Sequence, residues 1–250
     1  MSLQFSNTTT KGGIIQQIES NCGFNDGDIS GNSVLLAKFT AEVNLALDRA
    51  LSIIFKSDGT WQFDDSNHTD SPFITTDLVS GQRAYSFTKD GSDNLILEIF
   101  KVLVMDEDGV YQEIDPVDQQ MSKNSRVNVD SFVDGQDETG TVTRYDKTGN
   151  AIYLDKIPSY SKTDGIKMLI SREGSYFSTT DTTKKPGILG LYHEYLALVP
   201  SYKYARNHNL PNTKRLWEDI ERFEEQMRTA YGKRNKDIKR RMRPAVEDNK

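Results

Sequence analysis

Apolar residues recur at steps of three and four in two well-separated parts of this chain, and at steps of two between them. In the first part Leu36, Phe39, Val43, Leu47, Ala50 and Ile54 fall on one face. That spacing predicts an amphipathic helix over Ser33–Lys56. Asn32 or Ser33 can cap its start, and Asp58-Gly59 ends it. A shorter helix is predicted over Ile14–Cys22, after Gly12-Gly13 and before a polar loop at Gly23–Asn32. The first ten residues are mostly polar and read as loose. The helical period returns near Ile188, where Leu191, Tyr195, Leu198 and Tyr202 line one face and Pro200 should kink or interrupt the helix. Beyond Pro211, with Asn212 as a cap, Leu216, Ile220, Phe223 and Met227 mark a last helix from Thr213 to about Tyr231. Glu218 with Arg222, and Glu224 with Arg228, are i,i+4 pairs expected on its wet face. Neither long helix can hide its stripe alone, so the two are expected to pack together.

From Phe73 to about Arg172 the period is two. Strands are predicted at Ala84–Phe87, Leu95–Leu103, Val110–Ile114, Thr141–Tyr145, Ala151–Leu154 and Ile166–Ser171. Asp108-Gly109 and Lys147-Thr148-Gly149-Asn150 are hairpin turn signals. Short strands at this spacing predict a small sandwich or barrel. The expected fold is therefore α+β: a helical bundle of two N-terminal and two C-terminal helices, an inserted β-sandwich or barrel-like domain, and an extended C-terminal tail. The corresponding segments are 1–72, 73–186, 187–231 and 232–250.

Composition narrows the function classes. The chain has 250 residues, 36% hydrophobic and 27% charged, enough for a sizeable core in a globular protein. No apolar run reaches the roughly 18 residues of a membrane span, and the first residues lack the layout of a signal peptide. Cys22 is the only cysteine, so neither an intramolecular disulfide nor a cysteine metal cluster is available. The net charge of −6 is unevenly spread: Asp106–Glu138 is strongly acidic, and the last 25 residues are strongly basic.

Chemistry-bearing motifs are few. GxxxxGK[ST], HExxH and GxSxG are absent. His68, His193 and His208 lack metal-ligand spacing, and His193 reads as a packing residue. Asp26, Asp28, Ser30 and Gly31 imitate the start of a calcium loop, but Ala37 stands where the bidentate Glu belongs. Asp64-Asp65 would point to opposite faces of an extended segment. Neither Asn7-Thr8-Thr9 nor Asn67-His68-Thr69 signals glycosylation without a secretory route. No catalytic, cofactor-binding or metal residue is assigned. The basic tail carries the most functional content, through Arg234, Lys236, Lys239, Arg240, Arg241 and Arg243, with Met242 and Val246 as apolar anchors and Pro244 favouring an extended path. Such a segment cannot bury a core of its own; it reads as a solvated end, as a segment that folds on a partner, or as a contact to DNA phosphates.

Several phrases resemble the head-to-tail adaptor family of tailed phages, also called head-completion or tail-tubular connector proteins. They include the Gly13 to Cys22 start followed by the long helix ending in Leu47-Asp48-Arg49-Ala50-Leu51, Trp61-Gln62-Phe63-Asp64-Asp65, and the run from Thr75 to Tyr85. Ile114-Asp115-Pro116-Val117-Asp118, Gly149-Asn150-Ala151-Ile152-Tyr153-Leu154, and Asp181 to Ile188 followed by His193 and the two terminal helices complete the set. Together they span nearly the whole chain, and none is a catalytic signature. The resemblance implies a non-enzymatic virion protein made in the host cytoplasm and placed at the neck. It implies a ring of copies, typically dodecameric, beneath the portal protein and above tail or neck proteins. Double-stranded genomic DNA would pass through the lumen without sequence-specific binding, no membrane would be involved, and the tail residues named above would reach the portal. Two alternatives stay open. One is a carbohydrate- or receptor-binding β-module, which needs an exposed aromatic platform such as Trp61 with Tyr85 or Tyr153. The other is a hydrolase assembled from scattered carboxylates.

Overall fold

The computed structural model describes residues 2–57, 73–90, 93–117 and 138–234, with Thr148 and Arg234 described by backbone alone. Four helices are present among them: α1 (Ile14–Cys22), α2 (Ser33–Ser57), α3 (Tyr195–Asn207) and α4 (Thr213–Arg234). Asn32 caps α2, its Oδ1 accepting the Val34 and Leu35 amides at 3.0 and 3.2 Å. Gly23 ends α1 in the left-handed region, at φ 76°. Helix α3 runs through Pro200 without a break, so the expected interruption does not occur. A 3-10 turn at Gly190–Tyr192 precedes α3 and leaves Leu191 exposed. Asn212 does not cap α4 with its oxygen; its Nδ2 donates to the Asn21 carbonyl at 2.8 Å.

Helix α1 packs on α3, α2 packs on both α3 and α4, and α3 packs on α4. Phe39, Val43, Leu47, Ala50 and Ile54 meet Leu216, Ile220, Met227 and Tyr231 in one core. The helices alone do not complete it. Leu3 and Phe5, expected in a loose end, are buried there. Phe5 stacks on Phe177 at 4.7 Å, and its amide donates to the Lys184 carbonyl at 2.7 Å. The first residues thus form an extended arm closed by the loop 173–188.

The β-region has seven strands: β1 (Phe73–Leu78), β2 (Ala84–Ser86), β3 (Ile96–Met105), β4 (Tyr111–Pro116), β5 (Arg144–Thr148), β6 (Ala151–Leu154) and β7 (Lys162–Arg172). They make one sheet in the order β1-β7-β3-β4-β5-β6-β2. Gly109 and Gly149, at φ 83° and 61°, make the two turns read from the sequence. Pairing is antiparallel except between β4 and β5, where Asp115 lies opposite Arg144 in a parallel register.

This corrects the expected fold class. A sandwich stacks two sheets, whereas here a single mixed sheet curls into a half-barrel. Each of the seven strands places a residue in its core, from Leu78 and Tyr85 through Val102, Ile114 and Tyr145 to Leu154 and Met168. The helical part is likewise not a simple two-plus-two bundle, because the arm and the 173–188 loop are built into its core. The two cores are separate, and among the described residues the chain crosses between them at Glu173-Gly174. A β-carbon added at Gly174 would lie 2.9 Å from the Leu47 side chain, so this crossing lies close against α2.

Candidate functional site

Helix α4 ends at Arg234, where the basic tail begins. Its buried stripe is Leu216, Ile220, Glu224, Met227 and Tyr231, a spacing of four, four, three and four. Glu224 was expected on the wet face, yet it is 8% exposed. Its position four residues after Ile220 and three before Met227 carries that signal; carboxylate chemistry masks it. Phe223, expected in the stripe, is only partly buried.

A buried carboxylate needs partners, and Glu224 has three. Arg49 of α2 reaches Oε1 at 2.6 Å, and the Tyr195 hydroxyl donates to the same oxygen at 2.9 Å. Arg228 reaches Oε2 at 3.4 Å. Burial first, and then the neighbouring Glu224 charge, push the Tyr195 hydroxyl well above the usual phenol range, so it stays a donor. One acid therefore ties α2, α3 and α4 together. Beside it, Arg49, Lys56, Arg228 and Glu224 line an open cleft of about 410 Å³.

The same corner of the helical unit contains the base of the tail. A β-carbon at Gly232 would approach the Ser57 carbonyl to 3.4 Å, so α4 finishes beside the end of α2. Arg234 is the last residue of α4. Its side chain, together with Lys236, Lys239, Arg240, Arg241, Met242, Arg243, Pro244 and Val246, lies outside the described residues. Trp61, Phe63, Asp64, Asp65 and His68 also lie outside them, as does most of the acidic stretch before Glu138.

Other candidates resolve into structural roles. His193 is buried: Nδ1 accepts the Leu3 amide at 3.0 Å, and Nε2 faces the Ile188 carbonyl at 2.9 Å. With Nε2 carrying the proton, both contacts are satisfied. The Gly23–Asn32 loop is organised by Glu19, which is 1% exposed. Its carboxylate accepts the Gly27, Ile29 and Ser30 amides at 3.0–3.2 Å. Asp26 pairs with Lys11 at 3.1 Å, and Asp28 accepts the Asn25 amide at 2.8 Å. Among the described residues no group of three or more His, Cys, Asp or Glu is arranged to hold a metal ion. Tyr85 is buried with its hydroxyl on the Val79 and Gln82 backbone, so it offers no face for stacking a sugar. Among the described residues no helix is long and apolar enough to cross a membrane.

The sequence passed over Glu19 because a lone acid on a short helix has no motif; only its place between Ile15, Ile18 and Cys22 hints at burial. A scan against models of known protein families finds no match, and a comparison with curated proteins finds no similar sequence.

Proposed function

We propose that this chain is a structural virion protein, a subunit of the adaptor ring between the head and the tail of a phage. The observation that carries the reading is the resemblance along the sequence. Its phrases run from the Gly13–Cys22 start through Asp181–Ile188 to the last two helices, rather than clustering in one motif. Helix α2 adds support. Val34, Ala37, Ala41 and Leu45 follow one another along its solvent side, with Val34 76% and Leu45 54% exposed. A neighbouring subunit could cover this strip, and a closed ring repeats such an unlike-to-unlike contact around its axis. The net charge of −6 suits a channel that DNA must traverse, since a strongly basic lumen would retain phosphates.

In this reading the tail from Gly232 onward docks on the portal protein, with Arg234, Lys236, Lys239, Arg240, Arg241 and Arg243 on partner carboxylates. Met242 and Val246 supply apolar anchors, and Pro244 keeps the path extended. Neck or tail proteins attach on the opposite side of the ring, and no cofactor takes part. Electron microscopy of the virion tests the assignment. The expected result is a closed ring of this chain under the portal. Density for this chain in a fibre tip, or as an isolated surface decoration, would reject it.

A further inference from the structure

We propose that the cleft between α2 and α4 is a binding site for an oxyanion group, a phosphate or a carboxylate, gripped by Arg228, Lys56 and Arg49. Among the described residues three cations, Arg49, Lys56 and Arg228, line the cleft against one carboxylate, Glu224. Like charges crowded around one cleft repel, and an anion in it relieves that repulsion. The cations are also preorganised: Glu224 is buried, and both its oxygens are engaged by Arg49, Tyr195 and Arg228. Each guanidinium is therefore held by a fixed acid, and among the described residues its other N–H donors have no acid to meet. Guanidinium forks match the geometry of carboxylate and phosphate oxygens.

A purely structural role explains less. One arginine neutralises Glu224 and staples α2 to α4, and Arg49 does this at 2.6 Å. Arg228 is the second cation on the same acid and keeps 62% of its side chain exposed. Lys56 makes no ion pair among the described residues. Its place in the last turn of α2 suits the helix dipole, so the case rests chiefly on the two arginines. At about 410 Å³ the cleft has room for a small anionic group and its first waters. None of this depends on the proposed ring, so either reading can fail alone.

Isothermal titration of the full chain with inorganic phosphate, and separately with acetate, tests the site at ionic strength fixed by sodium chloride. The expected result is saturable binding that weakens about tenfold or more in Arg228→Gln and in Lys56→Met, each removing one charge-assisted contact. Lys56 is exposed and its substitution should leave the anion-free melting temperature in place, whereas Arg228→Gln also removes one partner of the buried Glu224 and is titrated well below its own melting temperature. Tighter phosphate than acetate would identify a phosphate site, and the reverse a carboxylate site; either supports the proposal. A response that never saturates, or an affinity in both variants equal to that of the native sequence, would overturn it.

Discussion

His193 links the arm to the helical core through a single ring. Burial lowers its pKa below the ordinary 6.5, with the Lys185 charge a lesser cause in the same direction, while its bonds to the Ile188 and Leu3 backbone act the other way. The folded protein therefore prefers the neutral imidazole, whose bare Nδ1 receives the Leu3 amide. Above pH 6.5 the ring is neutral folded or unfolded, and its favourable contacts count in full. As pH falls through that value toward the lower folded pKa, the unfolded chain takes up a proton that the folded chain resists, and stability is lost at up to about 1.4 kcal/mol per pH unit. Urea midpoints measured between pH 7 and pH 5 should fall more steeply for the native sequence than for His193→Gln; equal slopes would exclude this residue as a source. Cys22 reports on the same core. Burial pushes its thiol up to about 11, which keeps it protonated and slow to react until the helices separate.

At the scale of elements, α4 separates what a residue looks like from where it sits. Ile220 is fully buried against α2, while Phe223 lies only partly covered. Ile220→Ala should cost about 2–5 kcal/mol. Phe223→Ala, which would cost about 3–5 kcal/mol for a fully buried ring, should cost clearly less than Ile220→Ala. Chemical denaturation of both variants decides it, and equal losses would contradict the packing. Much of the element order was legible in advance, because helix and strand periods are written into which side chains must leave water. Asn32 as a cap and Gly109 and Gly149 as turns were legible for the same local reason. Three things were not. Leu3 and Phe5 alternate in too short a run to register as an arm, and their partner loop lies far along the chain. Glu224 and Glu19 are acids in core positions, which a polar–apolar pattern assigns to solvent. The parallel pairing of β4 with β5, and the curl that gives all seven strands one core, depend on which strands meet, and periodicity within a strand does not encode that. Of the candidate site, the basic tail was visible in composition, whereas the cleft at its base was not, because Arg49 and Arg228 lie far apart in sequence.

For the whole molecule, the end of α4 is the natural point to separate body from tail. Residues through Tyr231 contribute to the helical core, and Gly232 lies against the end of α2. A chain cut after Arg234 should melt like the full-length protein yet fail to join portal rings prepared without DNA. If it docks on those rings as well as the intact chain, the tail is not the anchor, and contact with the genome becomes the better account of its charge. The division of the two cores also has a consequence for biosynthesis. Among the described residues the sheet's core draws on residues 78–170, with Ile74 packed against it, whereas the helical core joins residues 3–54 to residues 177–231. On the ribosome the half-barrel can close as soon as β7 emerges, while the arm and α2 must wait for partners that are translated last. Nascent chains stalled with β7 just outside the exit tunnel should therefore protect the sheet from protease and leave α1 and α2 open to cleavage. Protection of both at that length would mean that the first helices find an interim partner.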